Sequence, residues 1–168
     1  MFYFDAWTNV QLAMMMARVK GWWLGVEPVW AAELFALDAE QPTDGGVLHW
    51  RDDVLLVDVR SERELAVSRA AHALTAIDEV HADERRLVAL ICTAGVRSLA
   101  AAAELRRRHP TLRVANVVDG LLGAAAACTG PRASLTPLVD ADGRPTHRLH
   151  TYSAAFDALA NPLFESVR

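Results

Sequence analysis

The stretch LVALICTAGVRSLAAAAELRRRHP, residues 87–110, decides the fold. Residues 87–91 are all apolar, a run typical of a strand that is buried on both faces of a parallel sheet. Residues 97–109 are dominated by alanine, leucine, glutamate and arginine, which favour a helix, and Pro110 ends it. The stretch therefore predicts a strand, a short loop and a helix, and the loop begins with the thiol of Cys92.

The same alternation continues on both sides of this stretch. Because strands that alternate with helices pair in parallel, the sequence predicts an α/β domain over about residues 27–128. Ser61 and Glu64 have the spacing of a capping box at a helix start. The predicted elements are a helix over 29–37, a loop over 38–46, strands over 54–60 and 113–120, and helices from 61 and over 121–127.

The two ends of the chain are predicted to be parts of the same single domain, 1–168. Residues 1–26 are predicted to form an amphipathic helix packed on the core, because Phe4, Trp7, Met14 and Met15 recur near helical spacing. A homodimer contact or a membrane-surface contact of this segment is left open. Polar residues interrupt it, so no run reaches the roughly 18 apolar residues that a membrane span needs.

The C-terminal extension, residues 129–168, has a different pattern. Residues 134–152 predict two short strands about a turn at 140–143, that is, a hairpin. Residues 153–160 predict a short helix with Ser153 as its cap.

Composition excludes several classes of protein. The chain has 168 residues, a net charge of −4 and a sequence pI of about 5.8, which argues against a nucleic-acid partner. Two cysteines do not make a disulfide framework or a four-cysteine zinc site, and the six histidines are scattered, so we expect no metal. Sparse cysteine use fits a cytoplasmic protein.

The position of Cys92 favours a reactive thiol. Ligands of an open parallel sheet bind beyond the carboxyl ends of its strands, and the N-terminus of a helix stabilises an anion such as a thiolate. The loop residues that follow are Thr93, Ala94, Gly95 and Val96, whose size allows an anion-binding nest of N–H groups, and then Arg97 and Ser98. The alternative is that Cys92 is a small apolar residue at the end of a strand.

The segment CTAGVRS (92–98) resembles the active-site loop of the rhodanese, or sulfurtransferase, family, whose pattern is Cys-x-x-Gly-x-Arg followed by Ser or Thr. LLVDVRSERE resembles the family's first signature, with Asp58, Arg60 and Glu64 in the corresponding places. VANVVDGLLGAAA resembles the segment after the active site, and Gly120 matches a family glycine. The resemblance covers about residues 27–128.

This resemblance implies a rhodanese-like three-layer fold, with a mostly parallel central sheet and helices on both faces. It implies a sulfurtransferase that moves sulfane sulfur from a donor such as thiosulfate to cyanide or a thiol through a Cys92 persulfide. No cofactor is implied, and a sulfur-accepting protein is a further candidate partner. Asp58 and Arg60 are supporting residues: they could be catalytic neighbours, but an ion pair or capping contact that orders the loop at the strand end is the favoured interpretation.

Three departures from the family pattern keep a second function open. Residues 67–76 retain little of the family's Gly-His-Ile-x-Gly-Ala segment, Asp119 stands where a glycine is usual, and an alanine stands where a tryptophan is expected. The altered segment 67–76 and the nonstandard C-terminal tail favour a non-catalytic rhodanese-like binding or regulatory module. A thiol phosphatase is disfavoured, because related phosphatases carry one more residue in the loop. Cys128 is interpreted as an apolar filler and, alternatively, as a thiol that resolves the persulfide.

Overall fold

The computed structural model describes residues 6–36, 46–151, 154–157 and 160–168. A four-stranded parallel sheet, in the order β1-β5-β4-β2, lies at its centre. These strands are β1 (Glu27–Val29), β2 (Val54–Asp58), β4 (Leu87–Ile91) and β5 (Val114–Val117), and two short strands, β3 (Arg69–Ala70) and β6 (Leu138–Val139), pair antiparallel outside it.

Helices cover both faces of the central sheet, which confirms the predicted three-layer α/β fold. Successive side chains of a strand point to opposite faces, so Val54 and Leu56 join one apolar core while Leu55 and Val57 join the other. The helices are α1 (Ala6–Trp23), α2 (Glu62–Val67), α3 (Val96–Arg108), α4 (Gly120–Ala126) and the short α5 (Ala154–Asp157). Residues of α1 and α3 belong to one core and residues of α4 to the other.

The strand–loop–helix prediction at the centre of the chain is confirmed. Strand β4 has the predicted bounds, and α3 begins one residue earlier than expected, at Val96. Leu99, Ala102 and Leu105 form its buried face, since residues three apart lie on one side of a helix. At its far end, Arg107 and Arg108 bind Glu104 on the exposed surface.

The prediction for residues 29–37 is wrong in part. Val29 ends β1, and only one 3-10 turn, Ala31–Leu34, follows it. Val118 donates its backbone N–H to the Val29 carbonyl, so pairing with β5 holds this residue in the sheet. The predicted loop over 38–46 lies outside the described residues except for Gly46, and so do Phe4 and Ser153.

The N-terminal helix is present, but it is not amphipathic in the predicted sense. Ala17 and Gly21 are buried on its packed side and Met14 packs half-buried against the core as predicted, whereas Met15 is exposed. Trp22 and Trp23, which lie in the segment predicted to pack on the core, are 80% and 88% exposed. Small residues let α1 approach α3 closely, and Gly21 leaves room for Leu99, so most of the large side chains of α1, apart from Met14, face away. No helix in the described part of the chain is long and apolar enough to cross a membrane.

The C-terminal hairpin is confirmed at its turn, but its strands pair elsewhere. Asp140 donates its N–H to the Arg144 carbonyl at 2.9 Å, and Val139 bridges Pro145 in antiparallel fashion. Strand β7 (Arg148–His150) then pairs in parallel with β8 (Glu165–Val167). Leu138, Leu149 and Phe164 bury their side chains in the same core as α4.

Candidate active site

The loop that follows β4 is held in place by the turn between β5 and α4. Leu121 and Leu122, in the first turn of α4, donate backbone N–H groups to the carbonyls of Cys92 and Thr93 at 2.9 and 3.1 Å. The backbone at Gly120 passes so close that a Cβ there would lie 2.3 Å from the Cys92 carbonyl oxygen. Gly120 must therefore be glycine, which explains the match with the family glycine in physical terms.

Gly95 closes the loop at the start of α3. Its φ of 76° lies in the left-handed region, and a Cβ would lie 2.1 Å from the carbonyl oxygen of Val118. A left-handed residue beside right-handed helical residues turns successive N–H groups to one side, which is the geometry of an anion nest. The first N–H groups of α3 have no intrahelical acceptor, so they are free to bind a negatively charged sulfur or oxygen.

Cys92 lies at the base of this loop and is only 1% exposed. Its Sγ is 3.4 Å from the Ser98 Oγ. Thr93, Ala94 and Ser98 are buried as well, so the loop presents backbone and small side chains to the sulfur rather than water.

Asn116 on β5 is a site residue that sequence reasoning missed. Its Nδ2 donates to the Gly95 carbonyl at 3.0 Å, and its Oδ1 accepts the Ser98 hydroxyl at 2.7 Å. Asn116 thus connects the glycine that shapes the loop to the hydroxyl that faces the sulfur. A polar residue in the otherwise apolar run VANVV was the signal that could have identified it.

Arg97 is directed to Glu64 rather than into the nest. Its Nη1 and Nη2 donate to the two carboxylate oxygens of Glu64, each at 2.7 Å, and Nη2 also lies 3.1 Å from the Thr93 Oγ1. Such a bidentate pair fixes geometry as well as charge. The guanidinium thus positions the loop, and its charge is already balanced by a carboxylate.

Glu64 combines the predicted helix cap with this loop contact. Ser61 donates its N–H and its hydroxyl to Glu64 Oε2, at 3.1 and 2.7 Å, so the side chain closes the start of α2 as expected. Burial alone would raise the pKa of Glu64, but hydrogen bonds from Arg97 and Ser61 outweigh it and hold the pKa at about 2. The carboxylate therefore stays ionised at neutral pH and keeps its hydrogen bonds with Arg97 and Thr93 of the loop.

Asp58 and Arg60 form a buried ion pair beside the site. Arg60 Nε and Nη2 donate to the two Asp58 oxygens at 2.9 and 2.8 Å, and Asp58 also accepts the Ala70 N–H. Arg60 Nη2 reaches the Ser68 carbonyl at 2.7 Å. These contacts tie the end of β2 to β3, so the geometry favours the ordering role over a role in the reaction.

Asp119 precedes α4 and Cys128 follows it, and their hydrogen bonds are to Ala31 and Ala124. Burial raises the pKa of Asp119 to about 6, although its Oδ1 accepts the Ala31 N–H at 2.9 Å. A Cβ at Gly123 would lie 1.8 Å from Asp119 Oδ2, so the second glycine makes room for this departure from the family pattern. Burial raises the pKa of Cys128 to about 11, and its thiol donates to the Ala124 carbonyl, which favours the filler interpretation.

No residues within the described ranges form a cluster of histidine, cysteine and carboxylate side chains that could hold a metal ion. The loop itself offers a thiol, a hydroxyl, an amide and the first N–H groups of α3. Two ion pairs, Arg60 with Asp58 and Arg97 with Glu64, flank the loop, and the start of α3 adds positive potential there.

No family model and no curated protein matches the sequence. The chain is similar to a rhodanese-like domain protein from Staphylococcus aureus, with 20% identity and a TM-score of 0.44 over 58% of this chain and 90% of that one. It is also similar to Rv0390 from M. tuberculosis, with 23% identity and a TM-score of 0.40 over 68% of this chain and 97% of that one. The α/β fold expected from the sequence is present, and the solved structures similar to it include a rhodanese-like domain protein.

Proposed function

We propose that this protein is a sulfurtransferase that carries sulfane sulfur as a persulfide on Cys92. The observation that carries the proposal is the placement of Cys92 Sγ at the carboxyl end of β4, beside the Ser98 hydroxyl and at the start of α3. The six-residue loop from Cys92 to Arg97 supplies small side chains and a left-handed glycine, so its N–H groups can converge on a charged sulfur.

The reaction proceeds in two displacements. The Cys92 thiolate attacks the outer sulfur of thiosulfate, the sulfur–sulfur bond breaks, and sulfite leaves with the electron pair. Cyanide, or a thiolate in the cell, then attacks the outer sulfur of the persulfide and leaves the Cys92 thiolate behind. Such a divided reaction predicts ping-pong kinetics, and neither step consumes an oxidant or a cofactor. A cytoplasmic setting, where thiols stay reduced, is part of this proposal.

The near-complete burial of Cys92 favours a second candidate, a binding module that uses the loop without turnover. In that case the nest would hold an anionic group of a partner while the thiol stays unmodified. The two candidates differ in whether Cys92 gains a sulfur atom.

Intact-mass spectrometry after incubation with thiosulfate tests the proposal. We expect the mass to increase by one sulfur atom on Cys92, and cyanide to remove it. Cys92→Ser should fold as the parent does and gain no sulfur, since serine fits the same loop. Cys128→Ser is the matched control and should gain sulfur as the parent does. An unmodified parent, with excess thiosulfate or a persulfide donor, would instead assign the loop to binding.

A further inference from the structure

Helix α1 is packed with its small side facing inward. Ala17 and Gly21 face the core, and Gly21 lies against Leu99 of α3. Six large apolar residues of the helix lie on the opposite side and are exposed to solvent, whereas Met14 packs against the core. We call this surface the α1 outer stripe, and it consists of Leu12, Met15, Met16, Val19, Trp22 and Trp23.

The members of the α1 outer stripe are spaced three or four residues apart, so they form one continuous face of the helix. A groove of 430 Å³ runs beside this face and is bounded by Pro28 at the edge strand. Contiguous exposed apolar surface of this kind marks an interaction site, because a protein that leaves it in water loses the benefit of burial.

The charges around the α1 outer stripe indicate what kind of partner binds it. Arg18 and Lys20 are exposed and flank Val19 in sequence, so they lie about 100° to either side of the centre of the stripe. No acidic residue occurs between Ala6 and Gly25, although the whole chain carries a net charge of −4. The Arg18 guanidinium lies 5.7 Å from the centre of the Trp30 ring, which holds it beside the stripe. The stripe is thus an apolar face with a cation on each border.

A second copy of the chain fits this surface poorly. A symmetric pairing of two α1 helices would bring the borders with Arg18 and Lys20 together, and α1 offers no carboxylate to pair with them. An anionic lipid surface supplies that negative charge. Tryptophans prefer the headgroup level of a bilayer, and a helix with an apolar face and basic borders lies in the interface plane.

We propose that the α1 outer stripe docks the protein on the headgroup region of an anionic lipid bilayer. Helix α1 lies parallel to the membrane plane, Trp22 and Trp23 enter the interface, and Arg18 and Lys20 contact lipid phosphates. None of the loop residues from Cys92 to Ser98 belongs to the α1 outer stripe, so vesicle binding and the proposed sulfur transfer are measured separately.

Co-sedimentation of the full chain with lipid vesicles tests this proposal. We expect binding to vesicles of phosphatidylcholine and phosphatidylglycerol in equal parts, weaker binding to phosphatidylcholine alone, and a decrease with added salt. Arg18→Gln and Lys20→Gln should each weaken binding to the anionic vesicles by about fivefold. Trp22→Ser with Trp23→Ser should abolish it on both vesicles, while melting temperatures stay at the parent value because these side chains are exposed.

Leu163→Ser is the matched control, since Leu163 is an exposed apolar residue away from α1 and should not affect binding. Failure of the parent to bind anionic vesicles would overturn the proposal. Binding by the double tryptophan variant equal to that of the parent would also overturn the proposal. A dimer in sedimentation velocity that the double variant dissociates, without vesicle binding by the parent, would assign the stripe to a second copy.

Discussion

The Ser98 hydroxyl has one proton and two neighbours that can accept it. The Asn116 Oδ1 lies 2.7 Å away and the Cys92 Sγ 3.4 Å away. While Cys92 is a thiol, the Ser98 hydroxyl donates its proton in a hydrogen bond to the Asn116 Oδ1. When Cys92 is a thiolate, the hydroxyl can turn to the sulfur, because a charged acceptor forms the stronger hydrogen bond. Asn116 is thus a positioning residue for the sulfur, and it acts through Ser98 and Gly95.

Replacing Asn116 with Asp should slow persulfide formation on Cys92. A carboxylate holds the Ser98 proton more firmly and adds a negative charge beside the thiolate, so both effects oppose the reactive form. We expect a decrease of about tenfold or more in the single-turnover rate with thiosulfate near neutral pH. At acidic pH the new carboxyl is neutral. There, the single-turnover rate of the variant should approach that of the parent at the same pH.

Ser98→Ala is the companion variant for this experiment, because it removes the hydroxyl without adding charge. It should slow the reaction at every pH, with no recovery in acid. If Asn116→Asp and Ser98→Ala had identical pH profiles, the charge at position 116 would not affect the thiolate. That result would contradict the role assigned to Asn116.

At the scale of elements, the site depends on a contact between the start of α2 and the loop before α3. The Glu64 carboxylate binds Arg97 and Thr93 across 33 and 29 residues of sequence and caps α2 at the same time. A buried carboxylate that loses such a partner leaves an unpaired charge, which costs far more than the net stabilisation of the pair. The position of the loop before α3 therefore depends on the position of α2, and the position of α2 on that of the loop.

Glu64→Gln should destabilise the fold by about 1–3 kcal/mol at neutral pH, a range reduced for the partial exposure of Arg97. The pKa of Glu64 lies at about 2 in the folded protein, below its ordinary value of 4.5. Its stabilising effect is thus complete above that ordinary value and is lost as the pH falls toward about 2. Urea denaturation should show the difference between parent and variant shrinking through this window.

Glu104→Gln is the control for that experiment. Glu104 pairs with Arg107 and Arg108 on the exposed end of α3, and we expect no measurable loss of stability there. A difference between parent and Glu64→Gln that stays constant down to the acid end of the window would contradict the assigned role of the ionised carboxylate.

At the scale of the whole molecule, the C-terminal extension completes the core beneath α4. The Asn161 Nδ2 donates to the carbonyls of Ala125 and Cys128, at 2.8 and 3.2 Å, where α4 ends. Phe164 adds its ring to the same apolar core. The extension therefore supports the helix whose first turn holds the carbonyls of Cys92 and Thr93.

Asn161→Ala should lower the free energy of unfolding by about 1–3 kcal/mol, because two buried carbonyls lose their donor. Leu163→Ala, at an exposed neighbour, should leave it unchanged. We expect tryptophan fluorescence and far-ultraviolet circular dichroism to report one common transition in urea, as for a single domain. Separate transitions, or no loss in Asn161→Ala, would show that the extension folds apart from the core.

The sequence by itself determined three of the four strands of the central sheet, β2, β4 and β5, and the place of the thiol, whereas it did not predict β1. Apolar runs such as 87–91, the capping box at Ser61 and the residues that end helices are local signals, and local sterics and hydrogen bonds decide them. The turn at 140–143 was predictable for the same reason. The chemistry suggested for Cys92 also rests on local order, since strand, loop and helix are consecutive.

Only the tertiary structure decided which side chains meet at the loop. Arg97 could have faced the nest, but a carboxylate 33 residues away attracts it, and Asn116 reaches Gly95 across 21 residues. The sequence likewise did not predict the parallel pairing of β7 with β8. It also did not predict which side of α1 faces outward, because apolar residues occur on more than one side of that helix. Small residues at Ala17 and Gly21 settled that by allowing the closest approach to α3.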